Sequence, residues 1–196
     1  ADKLVFSKLK ARLGGRMRFM ISGSAKLSRQ VQEWFYSADI TIVEGFGATE
    51  TAAITFLNLP DRPRFGTVGP VIPGLQTKLD DDGEVLVSGP TIARGYHHLP
   101  EETREAFDDG WYRTGDIGVL DSDGYLTITD RKKDLFKTSN GKFVAPQKIE
   151  NAVMANIPYV SQVVAIGQDR KFVSALITLD EPQLRKWAER RGKENM

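Results

Sequence analysis

Residues 18–50, RFMISGSAKLSRQVQEWFYSADITIVEGFGATE, decide the fold, because they set two short apolar runs on either side of one amphipathic pattern. Met17 to Ile21 reads as a strand that Gly23 ends. Ser28 stands where a helix N-cap is wanted, ahead of Val31, Trp34 and Phe35 at helical spacing. Ile40 to Val43 is a second strand. A strand, helix, strand unit of this length favours parallel strands joined by a right-handed crossover, and ligands of such sheets sit beyond the carboxyl ends of the strands. Two loops therefore matter most: SGSAKL, residues 22–27, and EGFGATE, residues 44–50.

On the amino-terminal side, Val5, Leu9 and Leu13 share one helical face and Gly14-Gly15 stops it. On the other side, residues 60–129 change to short alternating runs broken by Gly, Pro and Asp, the texture of a β-rich stretch. DDDG (Asp80 to Gly83) ahead of Glu84 to Val87 and DSDG (Asp121 to Gly124) ahead of Tyr125 to Ile128 predict hairpin turns. After Asp130 come a basic run, a loop containing Asn140-Gly141, and a helix over 146–155 with proline at its start. Strands at 163–166 and 173–179 and a helix at 181–191 complete a small mixed pattern. The expected organisation is an α/β and β-rich part over 1–129 and a smaller α+β part over 130–196.

The chain has 196 residues, 27 Lys plus Arg against 26 Asp plus Glu, 40% hydrophobic residues and no cysteine. Those proportions belong to a globular chain, with length for one domain or two small ones. The lack of cysteine excludes a disulfide scaffold, a thiolate metal site and a cysteine nucleophile in these residues. A net charge of +1 points to no nucleic-acid partner. No apolar run approaches the roughly 20 residues that span a bilayer, and ADKLVFSKLK lacks the apolar core of a signal peptide. A cytoplasmic setting is the expectation.

Three segments could carry chemistry. In GFGATE, glycines flank an aromatic at a strand end, so the backbone can approach a flat ring while Thr49 and Glu50 offer a hydroxyl and a carboxylate for phosphate and Mg²⁺. An ordinary glycine turn with Thr49 as cap and Glu50 at a helix dipole accounts for the same residues. It is no dinucleotide fingerprint, because Glu50 stands where the third glycine would be. In WYRTGD, residues 111–116, an aspartate follows a glycine and could accept both hydroxyls of a ribose; a strand end with a turn aspartate is the alternative. Residues 129–150 hold five lysines and one arginine around Asn140-Gly141. They could cradle phosphate or form a solvated face, and Phe136 and Phe143 stand where a P-loop needs glycine and a hydroxyl. His97-His98, read as neighbours on an extended chain, should point opposite ways and make a poor metal site. DDDG and DSDG lack the spacing of a calcium loop.

Taken together and in this order, GFGATE, WYRTGD and DRKKDLFKTSNGKFVAPQKIE resemble the adenylate-forming superfamily, and among its members the bacterial-type long-chain fatty acyl-CoA synthetases. The resemblance covers essentially the whole chain. It implies that 1–129 is the end of the large nucleotide- and acyl-binding domain and 130–196 the hinge and part of the small domain. It implies Phe46 stacked on adenine, with Gly45, Gly47 and the backbone of Gly23, Ser24 and Ala25 lining that pocket. Glu44 falls where the family usually has an amide on the adenine edge. Thr49 is implied as the phosphate-binding hydroxyl, Glu50 as the Mg²⁺ ligand, Asp116 as the ribose acceptor and Arg131 as a nucleotide contact. Asp130 matches the hinge, and Lys137 and Gly141 match the face that receives the pantetheine arm of CoA.

The implied activity joins a long-chain fatty acid, ATP and CoA through an acyl-adenylate. Other adenylate-forming ligases, with aryl, amino or medium-chain acids, or a stand-alone nucleotide-binding module, are the alternatives. The family's Thr/Ser/Gly-rich phosphate loop with Pro-Lys-Gly does not occur in these residues, nor does the late lysine of the small domain. The chain is therefore expected to be a piece of a larger synthetase, inactive alone. Peripheral contact with a membrane, and a homodimer or domain exchange through uncovered apolar surface, complete the expectations.

Overall fold

Two apolar clusters organise the first part of the chain. A computed structural model of the protein describes residues 6–193, and the chain divides into two compact units, Ala1–Thr129 and Asp130–Met196. In the first unit, helix α1 (Ser7–Arg12) is closed by Gly14 and Gly15, both at positive φ. Its Leu9 and the following Leu13 pack on Ala38, Ile40 and Ile42. Val5, expected on the same face, lies outside the described residues. Strand β1 (Met20–Ser22) starts later than the apolar run suggests, because Met17 is exposed rather than in the sheet.

Helix α2 (Arg29–Ser37) connects β1 to β2 (Ile42–Phe46), and the two strands are parallel, with Met20 opposite Ile42 and Ser22 opposite Glu44. The expected strand, helix, strand unit is present, with two departures. Ser28 occupies the N-cap position, but its side chain accepts no hydrogen bond from the helix; its backbone carbonyl takes the Gln32 N–H at 3.1 Å instead. The buried side chain of α2 is Gln32, whereas Val31 and Trp34 are exposed.

Strand β3 (Phe56–Leu57) runs antiparallel to β2. The β-rich stretch forms one sheet of β4 (Gln76–Leu79), β5 (Glu84–Ser88), β6 (Phe107–Asp108), β7 (Trp111–Leu120) and β8 (Leu126–Arg131). Its order is β4-β5-β7-β6, with β8 also paired to β7. Helix α3 (Pro100–Ala106) precedes β6. Both predicted hairpins form. Gly83 N–H reaches the Asp80 carbonyl and Gly124 N–H the Asp121 carbonyl, at 2.9 and 3.0 Å, with both glycines in the left-handed region that these turns require. Phe56, Leu75, Val85, Val87 and Leu126 make the second core, against which Phe46 packs.

The second unit is α+β. A short hairpin of β9 (Phe136–Lys137) and β10 (Phe143–Val144) leads to α4 (Pro146–Asn156), with proline in its first turn. Then follow the antiparallel pair β11 (Val160–Ile166) and β12 (Ser174–Leu179) and helix α5 (Glu181–Glu189). The Glu150 carboxylate of α4 accepts the Ala165 N–H of β11 at 2.9 Å, tying helix to strand. Among the described residues no helix is long and apolar enough to cross a membrane.

Candidate functional site

The carboxyl ends of β1 and β2 open into the two loops that the sequence singles out. Residues 23–26 are exposed and form an arch, with Ser24 at φ 66°. One end of the arch lies on the neighbouring strand, since a Cβ at Gly23 would sit 3.4 Å from the Gly45 carbonyl oxygen. The other end is held from below: the Leu27 N–H donates to Glu44 Oε1 at 2.8 Å. Glu44 is only 4% exposed. Burial pushes its carboxyl above the ordinary value, opposed by the Leu27 hydrogen bond and the positive charge of Lys26.

Beyond Glu44, Phe46 rests on Phe56, with ring centroids 6.0 Å apart, and remains half-buried. The backbone turns sharply at Gly47, where a Cβ would lie 1.5 Å from the Ala53 carbonyl oxygen, so only glycine fits. A 3-10 turn, Thr49–Thr51, follows. Thr49 is exposed and does not act as the cap; the Thr51 hydroxyl accepts the Ala48 N–H at 3.0 Å and leaves Thr49 facing outward. Glu50 is half-buried, and the Tyr96 hydroxyl donates to its Oε1 at 2.6 Å.

The Tyr112 phenol is raised by burial first and then by the charges of Glu50 and Asp116. Burial and Glu50 push Tyr96 up to about 12. Partial burial acts to raise Glu50, but the Tyr96 hydroxyl, the backbone N–H of Glu50 itself and the Tyr112 hydroxyl together outweigh it and bring the carboxyl below its ordinary value. Phe107 lies edge-on to Tyr96 at 5.6 Å and tilted against Tyr112 at 5.2 Å, so the two phenols stand on one aromatic support. Asp116, 9% exposed, follows a tightly held bend. Gly115 at φ 73° donates to Glu84 Oε1 at 3.0 Å, and the Thr114 hydroxyl donates to the Val85 carbonyl at 2.8 Å.

Tyr96 was not visible as a site residue in the sequence. A lone tyrosine in ARGYHH has no periodicity to flag it, and only the fold brings it to Glu50. Arg113 of WYRTGD is a structural cation: it pairs with Asp80 and, at 2.8 Å, with Glu84. It thereby engages two members, Asp80 and Glu84, of the one described cluster of three acidic groups close enough to share a cation, Asp80, Asp82 and Glu84. The histidine pair departs from expectation. His98 has φ 55° in a turn, and the His97 and His98 rings lie 3.8 Å apart instead of on opposite sides. Neither belongs to a three-ligand group among the described residues.

In the second unit, Lys137 and Gly141 are neighbours. A Cβ on Gly141 would lie 3.7 Å from Lys137 Cε, Gly141 has φ 82°, and the exposed Lys137 ammonium sits 5.4 Å from the Phe143 ring centre. Asp130 and Arg131 close β8. A carboxylate with one oxygen on Tyr96 and an outward hydroxyl next to it, Glu50 and Thr49, form a donor set suited to a hard divalent cation, which takes one or two carboxylates together with phosphate oxygens.

Residues 2–97 match the family described as AMP-binding enzyme, and residues 133–193 match the AMP-binding enzyme C-terminal domain. A long-chain-fatty-acid–CoA ligase of Mycobacterium bovis is 42% identical over 192 residues, which is 98% of this chain and 32% of that protein. A human long-chain-fatty-acid–CoA ligase is 40% identical over 207 residues, 98% of this chain and 30% of that protein. A solved anthranilate CoA ligase in complex with anthranoyl-AMP superposes with TM-score 0.71 at 27% identity, covering 90% of this chain and 38% of its own. The chain spans about a third of the length of the curated relatives it matches.

Proposed function

From its membership of the AMP-binding enzyme family, to which the chain belongs through both matched segments, we propose that these residues form the nucleotide-facing part of a long-chain fatty acid CoA ligase. The observation that carries the reading is the Glu50 carboxylate, held by the Tyr96 hydroxyl at 2.6 Å beside the outward-facing Thr49 on the loop that leaves β2 after Phe46. That arrangement offers a carboxylate and a hydroxyl to a phosphate-bound cation, and Asp116, on the bend after Gly115, offers a second carboxylate to a ribose diol. The long-chain acid is favoured by the two fatty-acid ligase relatives. An aryl acid is the second reading, favoured by the anthranilate ligase.

The reaction has two displacements. A fatty carboxylate oxygen attacks the α-phosphorus of ATP, the bond to the bridging oxygen breaks, and pyrophosphate leaves with its electron pair. The sulfur of CoA then attacks the acyl carbon, the carbon–oxygen bond to AMP breaks, and the thiol proton is released. Neither step needs a protein nucleophile, so positioning and charge neutralisation are what the chain supplies. The arch at Gly23, Ser24 and Ala25 and the Gly45–Phe46–Gly47 segment hold the base, and Asp116 accepts the ribose hydroxyls with Arg131 as a further nucleotide contact. Thr49 donates to phosphate oxygen. Glu50 would hold Mg²⁺, which when bound would supply charge neutralisation at the phosphates. Lys137 and Gly141 meet the pantetheine arm, with Asp130 as the hinge.

On the family pattern, residues 1–129 are the end of the large domain and residues 130–196 the hinge and part of the small domain. A cytoplasmic setting with peripheral membrane contact is included because a long-chain acid partitions into lipid. Exposed Trp34, Val31 and Ile21 in the first unit and Phe172, Leu176 and Ile177 in the second support self-association or domain exchange. The product of the whole reading frame that encodes these residues, given palmitate, ATP and CoA, should form palmitoyl-CoA and AMP in equal amounts, while the 196 residues alone should form none. Formation of ADP, or of no acyl-CoA by the whole product, would overturn the reading.

A further inference from the structure

Glu44 is a buried ionisable group that the chemistry above does not use. It is the third buried residue in succession on β2, after Ile42 and Val43, a place where an apolar side chain would be expected. What its carboxylate does there is specific. Oε1 takes the Leu27 N–H at 2.8 Å, while its own carbonyl takes the Asn58 N–H at 3.0 Å. Lys26 contributes a favourable charge, and the amide of the fully buried Gln32 lies beside it, short of hydrogen-bond geometry. Gln32 is fixed in turn, since its Oε1 accepts the Gly66 N–H at 3.2 Å. The post under the arch is therefore itself buttressed.

The arch has two attachments to the sheet. Gly23 lies over the Gly45 carbonyl, and Leu27 hangs on Glu44; between them residues 23–26 are exposed, with Ser24 in the left-handed region. Residues two apart on a strand face the same side, so Glu44 and Phe46 project from one face of β2. The hydrogen bond from Leu27 thus sets how far the arch stands above the face that presents Phe46.

We propose that Glu44 is a positioning residue: by accepting the Leu27 N–H from beneath, its carboxylate holds the 23–26 arch at the height at which its backbone and Phe46 enclose an adenine base. This rests on the nucleotide reading and goes beyond it, because Glu44 acts through the loop rather than by touching the base. A glutamine fulfils the same role, since its amide oxygen can accept the same N–H; alanine cannot.

The test uses the 196-residue chain with AMP, and ribose 5-phosphate as a base-free control, by calorimetry, together with deuterium exchange at the Leu27 amide. Glu44→Ala should lose protection at Leu27 and weaken AMP about tenfold, the factor expected for one lost hydrogen bond to a charged acceptor, while ribose 5-phosphate binding stays unchanged. Glu44→Gln should keep both protection and AMP affinity. If Glu44→Ala does not fold, Glu44→Met, of similar bulk without an acceptor, carries the same comparison. Loss of Leu27 protection with unchanged AMP affinity, or retained protection in the alanine or methionine variant, overturns the proposal and leaves the nucleotide reading intact. Failure of the unsubstituted chain to bind AMP overturns the nucleotide reading, and this proposal with it.

Discussion

Gly47 and Gly141 look alike in the sequence, each a glycine in a turn, and the structure separates them. A Cβ at Gly47 would lie 1.5 Å from backbone oxygen, whereas at Gly141 it would meet only the flexible end of Lys137 at 3.7 Å. Gly47→Ala should therefore cost about 3 kcal/mol or more through forced backbone movement. Gly141→Ala should cost only the left-handed penalty of ~1–2 kcal/mol. Denaturant unfolding of the two variants gives the comparison. Glu44 makes a pH prediction of definite sign. Its folded carboxyl is raised by burial, so between the ordinary value and the raised one the folded chain holds a proton that the unfolded chain has released. Stability should therefore fall as pH rises through that window. Glu44→Gln, having no proton to hold, should gain stability over the natural chain at neutral pH, and the gain should vanish in acid; thermal unfolding at pH 4 and 7 reads it. Of the candidate site residues, those inside glycine-marked motifs were marked out as candidates in the sequence. Tyr96 was not, because a hydroxyl that matters through one long-range contact leaves no local pattern.

At the scale of elements, the parallel β1–β2 pair and both hairpins were legible, because each rests on local chemistry: an apolar run ended by glycine, or Asp-rich turns with glycine at positive φ. Helix α2 was legible as a helix but not in its orientation. Val31, Trp34 and Phe35 mark an apolar side, yet the fully buried position is Gln32, whose carbonyl oxygen takes the Gly66 N–H. A polar side chain becomes interior when a distant loop brings it a donor, and spacing cannot announce that. Gln32→Ala should destabilise the chain by about 1–3 kcal/mol, leaving Gly66 without its acceptor. Trp34→Gln, at a position 53% exposed, should change stability by less than about 0.5 kcal/mol. Equal losses in thermal unfolding would contradict the orientation of α2. The histidine pair failed for a related reason: a single residue at positive φ brings together, as tilted rings, neighbours that should diverge.

For the molecule as a whole, the division between Ala1–Thr129 and Asp130–Met196 places the arch, Phe46, Glu50 and Asp116 in one unit and Lys137 with Gly141 in the other. The groups proposed to face the nucleotide therefore lie in the first unit, and the change of sequence texture near Asp130 falls where the two units divide. That Glu50 and Asp116 serve one site is what the family resemblance implies, since the two lie on elements far apart in the chain. The most direct measurement is calorimetric titration of the 196-residue chain and its Asp116→Ala variant with AMP. If Asp116 accepts the ribose hydroxyls, one AMP should bind per chain, weakened by about 1.5–3 kcal/mol in the variant, as for loss of charged hydrogen bonds shielded from water. Absence of binding, or equal affinity in the two proteins, would contradict it.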